Sequence, residues 1–388
     1  MKHRENECHA FTFHRMGLVF VVTVLAALLL SSSCDAWEAE HVPYPFNRYL
    51  SWSPDGSRIA FESTRSETQW KDNQVWVVKA DGTELTQLTN EQYGAGAPIW
   101  SRDGAHVYFI RWDENDTTDI WRVAADGSNR EQVSHTNYDE FSFAISPDGT
   151  ELVVDTERGI QIYTIAGAPD RYVAASGWDD DPDWAPDGTK IVFIRKGNVW
   201  IRNVDLTGLT QLTTGDYYEW TPRWSPDGTR IVFSSDRLGP QQLWFIAPDG
   251  TGLQRVMSDA AEPSSVGDDD PAWSRDGSKV AFVRDDGQSC DLWVVNTNGT
   301  GLTRLTHNVT QLAFDPDGGT YTGTQTVTIS CATPGVTIRY TTDGSDPTET
   351  STEYTEPVTV DHSLTLKAKA WKTDWFPSNV KSADYVIE

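Results

Sequence analysis

Trp224-Ser225-Pro226-Asp227-Gly228, followed one residue later by Arg230-Ile231-Val232-Phe233, is the stretch on which the reading of this chain turns. Pro presets the φ that opens a tight turn, Asp can bond the backbone two residues on, and Gly takes the position that needs φ > 0. The β-branched and aromatic run that follows makes the phrase a link between two antiparallel strands. It returns at Trp52–Gly56, Trp100–Gly104, Ile145–Gly149, Trp184–Gly188 and Trp273–Gly277, with its Asp residues spaced by 48, 45, 39, 40 and 49. Each copy precedes a β-type run, and a second strand then carries an aromatic at Trp76, Trp121, Tyr163, Trp200, Trp244 or Trp293. Most copies close with a Gly-containing turn and a short strand such as Leu85–Thr89. Four strands per roughly 43 residues, six times over, specify an all-β, six-bladed β-propeller, because a lone blade cannot bury both of its faces.

These repeats, over residues ~45–307, resemble the TolB-type propellers, whose hallmark is the Trp-Ser-Pro-Asp-Gly phrase. A second set of motifs follows: Gly319-Thr320-Tyr321, Ala332-Thr333-Pro334-Gly335, Tyr340-Thr341-Thr342-Asp343-Gly344-Ser345-Asp346-Pro347 and Leu366-Lys367-Ala368-Lys369-Ala370. They resemble the chitobiase/β-hexosaminidase C-terminal domain. That resemblance implies an immunoglobulin-like β-sandwich serving as an accessory or spacer module. The expected organisation is a signal peptide at 1–36, a propeller at 37–308 and a sandwich at 313–388.

Composition narrows the function. Lys and Arg total 31 against 57 Asp and Glu, a formal net charge of −26. So acidic a surface repels phosphate backbones, which argues against nucleic acid as a partner. Seventeen Trp, 29 Gly and 19 Pro with 38% hydrophobic residues describe a folded β-rich chain and not an acidic tail. Lys2, Arg4 and Arg15 precede the apolar run Met16–Leu30, which falls short of the roughly 20 residues a membrane span needs. The chain is therefore expected to be exported, to a periplasm or cell surface. Leu30-Ser31-Ser32-Ser33-Cys34 resembles a bacterial lipobox, so Cys34 is the candidate lipidation site and the lipid the expected contact with a membrane; ordinary cleavage after Ala36 is the alternative. Cys290 and Cys331 remain, either as a disulfide or as two separate thiols.

Repeat topology puts the Pro-Asp-Gly turns at one end of the blades and the longer connections at the other. Five residues before each phrase stand Asn47, Ala95, Glu140, Asp179, Glu219 and Asp268, at the starts of the innermost strands and the mouth of the channel. Four are carboxylates. Two readings are open: a site for calcium, a basic peptide or a polar ligand, or acids bonded to backbone or to a neighbouring blade's Arg. Arg65, Arg111, Arg158, Arg195, Arg237 and Arg284 recur after the second strands, which argues for structural pairing. Ten Trp are repeat positions and belong to the core. Trp70, Trp112, Trp178 and Trp220 are not; they fall in loops on the acidic face with Tyr218, where they suit sugar rings, peptides or plain loop packing.

The function these features favour is an exported, membrane-tethered, non-catalytic protein that binds a peptide, protein or cell-surface glycan at its acidic, aromatic face. No cofactor is implied beyond calcium at the channel-mouth carboxylates. The alternative is a polysaccharide-active enzyme using two of those carboxylates, which must stand either ~5 Å or ~6.5–9.5 Å apart. Glu140, Asp179, Glu219 and Asp268 look interchangeable from blade to blade, whereas active sites are usually asymmetric.

Overall fold

The computed structural model describes residues 47–64, 73–136, 138–165, 169–174, 179–257, 266–285 and 290–388. The leader with Cys34, and Arg65, Trp70 and Trp178, lie outside the described residues. Six four-stranded antiparallel sheets follow one another, each built from consecutive strands in chain order. Their innermost strands are Asn47–Trp52, Ala95–Trp100, Glu140–Ile145, Asp179–Trp184, Glu219–Trp224 and Gly267–Trp273. Each packs beside the next and the sixth beside the first, closing a ring of blades 1 to 6 around a channel.

The repeated phrase forms the turn that its chemistry dictates. In blade 1, Gly56 N–H donates to Ser53 O at 2.9 Å, Ser57 N–H to Asp55 Oδ1 at 3.0 Å, and Arg58 N–H to Ser53 Oγ at 2.9 Å. The Ser53 hydroxyl, at 2.5 Å, and Ser57 N–H donate to the Asp55 carboxylate, as Ser278 N–H and the Ser274 hydroxyl do to Asp276; these donors favour the ionised form and hold both acids down at a pKa of about 2. The second strands are the most buried, with Phe61, Phe109, Phe193, Phe233 and Phe282 fully enclosed. The phrase Trp residues sew blades together: Trp52 Nε1 donates to Ala272 O (3.2 Å) and Trp273 Nε1 to Arg223 O (3.1 Å).

Among the described residues each blade is built of its own consecutive strands, and side chains hold the seam between blades 6 and 1. Leu50, Ile59, Phe61 and Val78 share one apolar cluster with Ala281, Leu292, Val294 and Leu305. Asn47 Nδ2 donates to Cys290 O, and the Cys290 thiol to Asn47 O at 3.5 Å. Of the two states left open for Cys290 and Cys331, the structure has the separate thiols and not the disulfide. Cys290 is committed to the seam, while Cys331 ends a sandwich strand beside Thr310. Burial pushes the Cys290 thiol up to about 12, which leaves it inert.

The C-terminal sandwich packs a three-stranded sheet (Leu312–Asp315, Gln325–Cys331, Val358–Val360) on a five-stranded one. Period-2 alternation sends Leu366, Ala368 and Ala370 of Leu364–Trp371 into its core with Val327, Ile329, Val360 and Tyr385. Among the described residues there is no helix, and none long and apolar enough to cross a membrane.

Candidate functional site

The channel has two ends: a start end, where the innermost strands begin, and a turn end beside the repeated phrases. At the start end Glu140, Asp179, Glu219 and Asp268 are all buried. Antiparallel register sets Asp179 opposite Arg195 and Asp268 opposite Arg284 on the adjoining strand of the same blade. Both pairs are bidentate: Arg195 donates to Asp179 at 2.6 and 2.7 Å, and Arg284 to Asp268 at 2.7 and 2.9 Å. Glu219 accepts from Arg237, from Thr213 Oγ1 and from Val199 N–H at 3.0 Å. Of the partners the second reading offered, backbone or a neighbouring blade's Arg, the backbone is present as Val199 N–H of blade 4 on Glu219, while the arginines belong to each acid's own blade. Each guanidinium also covers ring faces, Arg237 lying 4.7 Å from Trp244 and Arg284 5.4 Å from Trp293. Where the start residue is Ala95, Arg111 turns instead to Glu91 at 2.7 Å.

Glu140 differs. Its strand slips register opposite Thr156, Arg158 stacks on Tyr138 at 4.5 Å, and the carboxyl is met by Ser134 and Thr136 hydroxyls, each at 2.8 Å. Among the described residues no guanidinium bonds to it, and burial pushes Glu140 up to about 7.

Of the four tryptophans expected in loops, the two described ones, Trp112 and Trp220, lie in strands. Trp112 ends the second strand of blade 2, and its ring would stand 3.1 Å from a Cβ added at Gly96. Trp220 is the second residue of blade 5's innermost strand, tilted against Tyr218 at 6.1 Å. Tyr217 is 44% exposed over Arg237. Tyr217, Tyr218 and Trp220 thus form an aromatic patch flanking Glu219 on blade 5, with Tyr217 over the Arg237 that pairs with it.

Inside the channel, five innermost strands carry a bulge whose central residue has positive φ: Tyr49, Ala97, Asp181, Thr221 and Asp270. The bulge turns a backbone N–H toward the preceding blade, so Tyr49 N–H donates to Asp270 Oδ2 and Thr221 N–H to Asp181 Oδ2, both at 3.2 Å. Asp155, Asp181 and Asp270 form an acidic belt whose carboxyls are raised first by burial and then by nearby aspartates. For Asp181 and Asp270 this is partly offset by Arg223 and Arg48 respectively. Among the described residues no group of three or more His, Cys, Asp or Glu is placed to hold a metal ion.

The turn end holds a cavity of about 190 Å³ lined by all six blades. Its apolar wall includes Ile99, Trp100, Trp184 and Trp224, and its charged residues are Arg102, Asp183, Arg223 and Arg275. Sequence reasoning missed this end. Its signal was the phrase itself, which reads Ser-Arg-Asp-Gly, not Ser-Pro-Asp-Gly, at Arg102 and Arg275.

Comparison with known proteins supports both resemblances. Residues 46–199 match the family model of the TolB β-propeller domain, and residues 316–382 that of the chitobiase/β-hexosaminidase C-terminal domain. An uncharacterized protein of Agrobacterium fabrum is 27% identical over 160 residues, 37% of this chain and 53% of that protein. The uncharacterized peptidase YuxL of Bacillus subtilis is 32% identical over 144 residues, 37% of this chain and 20% of that one. The chain thus spans about half and one fifth of the lengths of these relatives. The tricorn protease structure superposes with a TM-score of 0.51 at 12% identity, covering 88% of this chain and 35% of that chain, a likeness of fold.

Proposed function

We propose that this chain is an exported, membrane-tethered binding protein. Its propeller takes a peptide, protein loop or glycan at the start end, through the blade-5 patch of Tyr217, Tyr218 and Trp220, and the sandwich is an accessory module. One observation carries the choice of binder over enzyme. Asp179, Glu219 and Asp268, which acid–base cleavage would need free, are buried and each closed by an arginine of its own blade. A carboxylate locked in a bidentate pair is a poor proton carrier. The aromatic patch keeps exposed ring area beside it, the kind of anchor that dominates binding surfaces. Export through the leader and lipidation at Cys34 belong to the same reading, and the apolar run before Cys34 supports them.

The test is retention of the full mature chain on insoluble polysaccharides and cell-wall fractions, with calcium and with chelator, alongside a turnover assay. Retention is expected to be independent of calcium, and Tyr218→Ala with Trp220→Ala is expected to weaken it about tenfold or more. Turnover by the parent chain, abolished by Glu140→Gln or Asp179→Asn, would establish the enzyme instead. Cys34→Ala should release the chain from membranes, and unchanged fractionation would remove the lipid anchor.

A further inference from the structure

We propose that the cavity at the turn end of the channel is a second binding site, specific for an organic carboxylate and independent of the start-end reading. Its construction begins with two exceptions in the repeat. Blades 1, 3, 4 and 5 place Pro54, Pro147, Pro186 and Pro226 at the third phrase position, where proline stiffens the turn. Blades 2 and 6 place Arg102 and Arg275 there and forgo that stiffening.

Arg102 has a structural use: its Nη2 donates to Ile145 O at 2.7 Å and its Nε to Ser146 O at 3.3 Å, tying blade 2 to blade 3. Arg275, its equivalent in blade 6, is exposed and makes no hydrogen bond or ion pair among the described residues, yet it lines the cavity. The two arginines are close enough that the Arg275 charge adds to desolvation in lowering the Arg102 pKa, with Asp183 opposing both. Arg223 lines the same space. Against these three guanidinia the lining has one carboxylate, Asp183, which already accepts Trp224 N–H at 2.8 Å. In a chain of net charge −26, a pit where guanidinia outnumber carboxylates three to one is a local reversal of sign. Converging like charges are relieved when an anion lies between them.

The walls define the rest of the ligand. Prolines, indoles and Ile99 surround the cationic rim, and the Ser142 hydroxyl, buried in the lining, has no hydrogen-bond partner among the described residues. A bare inorganic ion would leave the apolar wall unused. A carboxylate carrying a short carbon skeleton fills it, at a volume comparable to the roughly 150 Å³ that holds a benzene ring. Arg presents a planar fork matched to a carboxylate. Two sources share this chemistry: the free C-terminus of a polypeptide and the carboxylate of an acidic sugar.

Phrase tryptophans line the cavity, so indole fluorescence reads occupancy directly. The full mature chain is titrated with glucuronate, with N-acetyl-trialanine, with its C-terminal amide and with inorganic phosphate. Saturable quenching by glucuronate or the free-acid peptide, and none by the amide, is expected. Whichever of the two binds tighter identifies the source. Arg275→Gln, which breaks no contact described in the fold, should weaken binding about tenfold while leaving the melting temperature unchanged. Added salt should weaken binding in the parent more than in the variant. No saturable response to either carboxylate, equal response to the amide or to phosphate, or binding indifferent to Arg275→Gln would each overturn the assignment. Start-end retention on glycans is unaffected by Arg275→Gln, so failure of one site does not mimic failure of the other.

Discussion

Buried carboxyls at the start end divide by one neighbour. Where an arginine lies across the hairpin, as for Asp179 and Asp268, the acid sits in a bidentate pair. At Glu140, where register slips, hydroxyls of Ser134 and Thr136 take the place of an arginine and burial raises the carboxyl to about 7. An acid whose folded pKa lies above its unfolded value contributes stability that is full below the unfolded pKa and is lost as pH rises through the folded one. Glu140 therefore makes the fold weaker between about pH 4.5 and 7. Glu140→Gln should remove that slope, and the unfolding free energy of the parent relative to the variant should fall by about 2 kcal/mol from pH 5 to pH 8. Parallel pH profiles for the two proteins would refute it. The phrase aspartates work in the opposite sense: Asp55 and Asp276, lowered to about 2, lend stability that disappears as pH falls from near 4 through 2.

Each blade is an element that the phrase builds and its last turn docks. Gly299, at φ +80°, lies in the turn before blade 6's outer strand, and a Cβ there would stand 2.6 Å from Val256 O of blade 5. Gly56, at φ +70°, has open space around it. Alanine at Gly56 should cost only the left-handed backbone penalty, about 1–2 kcal/mol. Gly299→Ala should cost distinctly more, because a backbone carbonyl must also move. Equal losses in chemical denaturation would show that the close approach is relaxed at no cost. The blades, their turns and the start-end position of the four acids were legible from the phrase and its spacing. The pairing was half legible: Asp179 and Arg195, like Asp268 and Arg284, stand 16 residues apart. A hairpin's register, which the turn fixes, is what turns that separation into contact. Trp112 and Trp220 were misplaced into loops: the second strand of blade 2 runs on to Trp112, and Trp220 follows Glu219 inside the innermost strand of blade 5.

At the scale of the whole molecule, the sandwich helps to close the propeller. Phe376, fully buried, leaves the sandwich core and enters the seam cluster, edge-on to Phe61 at 6.1 Å and to Trp76 at 5.7 Å. Beside it His307 stacks on Trp375 at 4.7 Å, and Glu84 N–H of blade 1 donates to Asp374 at 3.0 Å. Among the described residues the blades share no strand across the seam, and this loop packs along it. Phe376→Ala should cost about 3–5 kcal/mol. The loss should appear as faster amide exchange in blades 1 and 6, with the sandwich strands unchanged. Loosening confined to the sandwich would show that Phe376 serves its own domain.

By itself the sequence determined what is local and repeated: the turn phrase, the strand alternation, the number of sheets and the identity of the second domain. A period read along the chain suffices for these, because each rests on neighbours within a few residues. Only the tertiary structure decided which charges meet. Hairpin pairing closes three start-end acids on the arginines of their own blades, and separate domains hold Cys290 and Cys331; the gathering of Arg102, Arg223 and Arg275 around one cavity depends on ring geometry. That geometry brings together residues from different blades, up to 173 positions apart between Arg102 and Arg275, which no spacing along the chain encodes.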